Sequence, residues 1–120
     1  MPNNRVNKTI AGYHLLMILS AVDHKFIAKE DTVIRDYLVQ EFPMPVDLDR
    51  EMGIISNLTA EQWEEHFRLM MDDFYDDSTD EERNNLLQFA IELTKADNVI
   101  TKEENYYLNM LFDTWKPDEA

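Results

Sequence analysis

Two short stretches of this sequence carry carboxylates at spacings that could do chemistry. In the first, Asp23 closes an apolar run and Glu30 stands seven residues on. In the second, Asp97 closes a similar run and Glu103 follows six residues later. Each pair would set one carboxylate in a tight turn and the other in the first turn of the next helix. Hard cations take several oxygen ligands, so Asp23, Glu30, Asp97 and Glu103 are the candidate ligands of a divalent ion. Calcium and magnesium fit an oxygen-only set better than zinc does. The plainer reading is structural: Asp97 bonds turn amides, and Glu103 favours the positive helix N-terminus. An EF-hand is excluded by register. With Ile100 at loop position eight, positions one and three fall on Leu93 and Lys95, which cannot ligate calcium.

The densest charge is Asp72, Asp73, Asp76, Asp77 and Asp80. The 72/76 and 73/77 pairs would repel on a continuous helix, so the run reads as a solvated helix end and loop. A divalent cation or a basic partner is the functional alternative. The histidines are His14, His24 and His66. None stands in HExxH, and none has a Glu three residues before it, so zinc-protease and di-iron bundle patterns are absent. His14 is expected to be a satisfied core residue, His24 a turn residue beside Asp23, and His66 a residue at a core edge. Seven Met and 13 aromatic residues could line a plastic groove, but their helical spacing makes core packing the default. Trp115, near the C-terminus, is expected to be partly exposed. GxSxG, P-loop and GxGxxG motifs are absent, so no enzyme is expected.

Composition narrows the partners. Eleven Lys and Arg against 25 Asp and Glu give a formal charge of −14. Phosphate backbones would be repelled, so nucleic acid is not an expected partner. A negative surface suits cations or the basic segments of other proteins. The chain has no cysteine, which removes disulfides, thiolate metal sites and a Cys nucleophile, and agrees with a reducing, cytoplasmic setting. Arg5 and Lys8 ahead of the apolar run 10–22 imitate a signal peptide. Tyr13 and His14 interrupt that run, and a domain helix is the preferred reading. No run approaches the ~18 apolar residues of a membrane span.

The elements that must position these residues are all helical. A length of 120 residues suits one domain, and two Gly and four Pro leave few breaks for a many-turned sheet. Residues 1–7 are expected to be flexible, 8–116 to form the domain and 117–120 a tail. Helices are expected over 8–22, 28–42, 47–57, from Thr59 to about Tyr75, from Ser78 or Thr79 to Ala96, and from Thr101 to about Trp115. The first is apolar most of the way round, which marks a central helix. In the second, Val33, Ile34, Tyr37, Leu38 and Phe42 recur at helical spacing, and Pro43 and Pro45 end it. Asp47 is a plausible N-cap for the third. Thr59/Gln62, Ser78 or Thr79 with Glu81 or Glu82, and Thr101/Glu104 have capping-box spacing. Trp63, Phe67, Met70, Met71 and Phe74 stripe the fourth helix; Leu86, Leu87, Phe89, Ala90, Ile91 and Leu93 the fifth; Tyr107, Leu108, Leu111, Phe112 and Trp115 the sixth. No segment alternates with period two, so the fold class is all-α: a single-domain bundle of about six to seven helices.

The chain also echoes itself. With Asp23 placed on Asp97, Leu19 falls on Leu93 and Ser20 on Thr94. With one extra residue allowed in the first turn, Ile27 falls on Ile100, Glu30 on Glu103, Ile34 on Tyr107 and Leu38 on Leu111. These are two pseudo-repeated helix–turn–helix units with an acidic insert between them. Ala96-Asp97-Asn98, Ile100 and Glu103, and less closely Val22-Asp23-His24, Ile27 and Glu30, resemble the TerB-like domains of the tellurite-resistance type. Those domains share their fold with the N-terminal domain of DjlA-type co-chaperones. Both units lack the family's usual Gly after Asp. The resemblance implies a helical bundle, a role in stress-response or membrane-associated complexes, and metal binding through Asp23, Glu30, Asp97 and Glu103. The expected function is a non-enzymatic acidic interaction module, tuned by a divalent cation, whose partner has a basic surface or is membrane-associated. A metal-binding stress protein is the alternative, and a small metal-dependent hydrolase the third reading.

Overall fold

The centre of the molecule is its first helix. In a computed structural model, which describes residues 7–21, 28–42, 46–95 and 101–115, helix α1 (Lys8–Ala21) has twelve of its fourteen residues buried. It packs against all five other helices: α2 (Ala28–Glu41), α3 (Leu48–Ser56), α4 (Ala60–Asp77), α5 (Asp80–Lys95) and α6 (Lys102–Thr114). The consecutive Leu15, Leu16, Met17, Ile18 and Leu19 explain this. A helix apolar on every side has no face to give to water, so the others must surround it. The described residues contain no strand, and the fold is an all-α single-domain bundle.

Gly12 lets the surrounding helices come close. A Cβ there would stand 3.3 Å from Leu38 of α2, 3.3 Å from Phe74 of α4 and 3.4 Å from Leu86 of α5. Around it, Phe67 and Phe74 are fully buried, each stabilising the fold by roughly 2–3 kcal/mol. Phe74 stacks on Trp115, whose indole Nε1 donates to the Met71 carbonyl at 3.3 Å. Trp115 is thus buried, contrary to the partial exposure expected of it; the ring needs an apolar face and an acceptor, and α4 offers both. Val33 and Phe112 err in the other direction. Both sit on apolar stripes yet are exposed, because helical spacing defines a face but not how far a neighbour covers it.

The helix ends follow the caps. Asp47 accepts the Arg50 amide at 3.1 Å. The Thr59 amide donates to Gln62 at 2.8 Å. Thr79 and Glu82 exchange bonds at 2.9 and 3.1 Å, as do Thr101 and Glu104 at 3.0 and 3.1 Å. These caps satisfy amides that the first helical turn leaves without partners. Asn7 adds a cap not expected from the sequence, its side chain accepting the Ile10 amide at 2.9 Å just ahead of α1. α4 runs two residues beyond its expected end at Tyr75. The turns of the two pseudo-repeated units, with His24, Ile27, Asn98 and Ile100, lie outside the described residues, as do Pro43, Pro45 and the 117–120 tail.

Candidate functional site

The burial of α1 sets the terms for its one histidine. His14 is 2% exposed, and its ring carries two nitrogens that must find partners away from water. Both find them. Nε2 lies 2.7 Å from Oε1 of Glu51 on α3, and Nδ1 lies 2.7 Å from Nε2 of His66 on α4. Glu51 is itself buried. The result is a hydrogen-bonded chain, Glu51–His14–His66, that ties three helices together through their polar atoms.

The proton positions follow from the acceptor at one end. A carboxylate only accepts, so His14 Nε2 carries a proton and donates it to Glu51. In a neutral ring Nδ1 then accepts, so His66 Nε2 must donate to it. Burial holds His14 below its ordinary value; hydrogen bonding and attraction from Glu51 oppose that shift without cancelling it. His66 falls to about 4, first through burial and then through repulsion by a charged His14, with Asp73 and Glu51 pulling the other way.

The chain has the layout of a proton relay. A third member that attacks substrate would ordinarily be a hydroxyl or thiol, and here it is an imidazole. A metal ion does not fit between the two rings as they stand. Two nitrogens at about 2.1 Å from a tetrahedral ion would be roughly 3.4 Å apart, against 2.7 Å here. Among the described residues no group of three or more His, Cys, Asp or Glu is placed to hold a metal.

A second region of interest is the seam between α4 and α6. A hollow of about 300 Å³ is lined by Asp72, Tyr75, Asp76 and Thr114. Beside it, a hollow of about 350 Å³ is lined by Arg68, Tyr106, Asn109, Met110, Asp113 and Thr114. Thr114 belongs to both, so together they form one shallow trough. Tyr75 and Tyr106 are 48% and 50% exposed, which is high for rings of this size. Arg83 lies over the Tyr75 ring, 4.0 Å from its centroid. The Tyr106 hydroxyl donates to Glu64 at 2.8 Å, and Arg68 donates to the same Glu64 oxygen at 3.1 Å. Those two bonds, with the nearby Arg68 charge, hold the Glu64 carboxyl below its usual range.

The residues expected to ligate a cation are placed only in part. Asp23 and Asp97 lie outside the described residues. Glu30 is half-buried in the first turn of α2, and Glu103 is exposed in the first turn of α6. The capping role there belongs to its neighbour Glu104, which is buried. Beside Glu30, Asp31 accepts from the Tyr13 hydroxyl at 2.6 Å and from Arg35 at 3.0 Å, and Arg35 also reaches Asp49 at 2.8 Å. Burial first, then the bond to Asp31, pushes the Tyr13 hydroxyl well up. The acidic run lies at the end of α4 and beyond it with Asp72, Asp76, Asp77 and Asp80 exposed, as expected of a solvated helix end. Asp77 and Asp80 also have protein partners. Asp77 accepts the Lys8 amide at 3.0 Å, and Asp80 pairs with the buried Arg83.

The Glu51–His14–His66 chain was not legible as a unit, although His14 and His66 are placed as expected, one in the core and one at its edge. A signal existed. Glu51 occupies a stripe position on α3, with Leu48 three residues before it and Ile55 four after. His66 holds the same kind of position on α4, three residues after Trp63 and four before Met70. Polar residues on apolar stripes call for one another.

No protein-family model, no curated protein and no solved structure matches this chain. No helix among the described residues is long and apolar enough to cross a membrane.

Proposed function

We propose that this protein is a non-enzymatic interaction module that recruits a basic segment of a partner protein into the α4–α6 trough. One observation carries the reading. The trough combines exposed carboxylates, Asp72, Asp76 and Asp113, with two half-exposed tyrosine rings, on a chain of charge −14. Guanidinium and ammonium groups suit both features, since the carboxylates attract the charge and the exposed Tyr106 ring can take its methylene stem, as the Tyr75 ring already takes Arg83. Among the described basic residues, Arg68 lines the trough and is engaged by Glu64, while Arg83 covers the Tyr75 ring. Long-range attraction by the net charge would speed encounter and make binding sensitive to salt.

The resemblance to TerB-like domains supports a recruiting role in a stress-response or membrane-associated complex, and the cysteine-free composition supports a cytoplasmic one. Tuning by calcium or magnesium at Asp23, Glu30, Asp97 and Glu103 belongs to the same reading. A metal titration of chelator-stripped protein, repeated on Asp97→Ala, tests that part separately.

The main test is an NMR titration with an arginine- and lysine-rich peptide at two salt concentrations. Saturable shifts centred on α4 and α6 are expected. The triple variant Asp72→Asn, Asp76→Asn, Asp113→Asn should bind about tenfold or more weakly. Equal binding by the variant, or shifts spread over the whole surface, would overturn the reading.

A further inference from the structure

We infer that Glu51, His14 and His66 form a proton-operated latch between α1 and α4, closed with two neutral imidazoles or with one added proton and opened at His66 by a second. The proton count follows from the geometry. With both rings neutral, His66 Nε2 donates to His14 Nδ1 and His14 Nε2 donates to Glu51, so both contacts are satisfied. One added proton makes His14 a donor at both nitrogens. His66 must then accept at Nε2, with its own proton moved to Nδ1. Both contacts survive, the direction of one is inverted, and the imidazolium is paired with the Glu51 carboxylate.

The second proton has no such solution. Two N–H groups would face each other across a 2.7 Å gap with no acceptor between them. Two like charges would also stand with ring centroids 4.9 Å apart in a region shielded from water. One ring must leave. His14 is fixed in the central helix and held by Glu51, whereas His66 is only partly buried on α4. His66 therefore turns out to water, and α4 stays seated on α1 through Phe67, Met71 and Phe74.

The groups around the pair set the same order. Glu51 faces His14 from α3 and favours the first proton there. Asp73, two turns along α4, favours a charge on His66 but does not outweigh burial and the charge on His14. Tyr13 stands edge-on to His14 at 6.4 Å, its hydroxyl held by Asp31 and approached by Arg35 of α2. On α5 and α6, Glu82 pairs with Lys8, Arg83 with Asp80, and Tyr106 donates to Glu64. The latch would make the outer face of α4 gain positive charge only at the second step, the first proton being held inside on His14 beside Glu51. It stands independently of the proposed partner.

The test is a nitrogen-15 NMR titration of the histidine rings in the intact protein from pH 7.5 to 3.5, with ring-to-ring contacts followed by NOE. Two separated steps on His14 and His66 are expected. In the first, the His14–His66 contact persists and His14 becomes protonated at both nitrogens. In the second, near pH 4, that contact is lost while α4 remains helical. The second proton should bind about 300-fold more weakly than to a free imidazole. In His66→Gln, whose side chain can donate to or accept from His14 but does not titrate, only the first of the two steps should remain, on His14. Coincident titration of both rings near the ordinary value would overturn the latch. So would a contact that survives the second step, or loss of the whole folded spectrum at that step. Persistence of the second step in His66→Gln would overturn it as well.

Discussion

Two hydrogen-bonded chains in this molecule have nearly the same lengths and very different stakes. Glu51–His14–His66 has contacts of 2.7 Å, and Tyr106–Glu64–Arg68 has contacts of 2.8 and 3.1 Å. The first lies between the central helix and its neighbours. The second lies on the surface, where water competes for every partner and salt screens every charge. Distance therefore does not rank these interactions; solvent does. Breaking a surface contact exchanges it for water, whereas breaking the buried one strands a polar atom.

The largest test of that difference is His14→Leu. It leaves Glu51 buried without its partner and should cost about 3 kcal/mol in chemical denaturation. Adding Glu51→Leu removes the stranded carboxylate, so the double variant should be more stable than His14→Leu alone. If the double variant were the weaker of the two, the buried chain would be no different in kind from the surface one.

Next comes pH. Both imidazoles bind protons less readily in the folded chain than in the unfolded one, whose ordinary value is 6.5. The unfolded state then holds more protons below that value, so stability must fall as pH falls from about 6.5 toward about 4. Solvent around the half-buried His66 ring discounts the effect, and its share is at most about 2 kcal/mol. Denaturant melts of wild type and His66→Gln at pH 7 and pH 5 measure it. The variant should lose less stability on acidification.

The two glycines extend the comparison between interior and surface. Gly12 sits where three helices meet, while a Cβ at Gly53 on α3 would meet nothing within 4 Å. Gly12→Ala should destabilise by about 1 kcal/mol, crowding outweighing the gain in helix propensity. Gly53→Ala should stabilise by about 0.5–1 kcal/mol through that propensity alone. Thermal melts of the two variants should move in opposite directions. The smallest expected effect is Arg68→Ala, which should leave the melting temperature unchanged at physiological salt.

The parts of this fold that were legible in the sequence are local ones. Helix limits follow capping residues and apolar spacing within a few positions, so Asp47, Thr59, Thr79 and Thr101 could be placed from their neighbours alone. The central position of α1 was legible too, because five consecutive apolar residues leave a helix no exposed side. What escaped depends on pairings between distant residues. His14 meets Glu51 across 37 positions and His66 across 52, and no local rule joins them. Coverage escaped for the same reason. Val33 and Trp115 share the apolar character of their stripes, yet one is open to water and the other lies beneath α4's Phe74.

The placement of α1 has a consequence for how the chain reaches this structure. Its burial needs α4, α5 and α6, which lie some 40 to 90 residues further along. A helix with apolar residues on all sides cannot be satisfied by its immediate neighbour, so its contacts are unusually distant for a helical bundle. Closing loops of that length costs entropy before the contacts repay it, which slows folding relative to bundles built from adjacent helices. During synthesis α1 emerges before any of those three partners. Over that interval it is an exposed apolar segment, the kind that holding chaperones bind and that associates between chains when they are crowded.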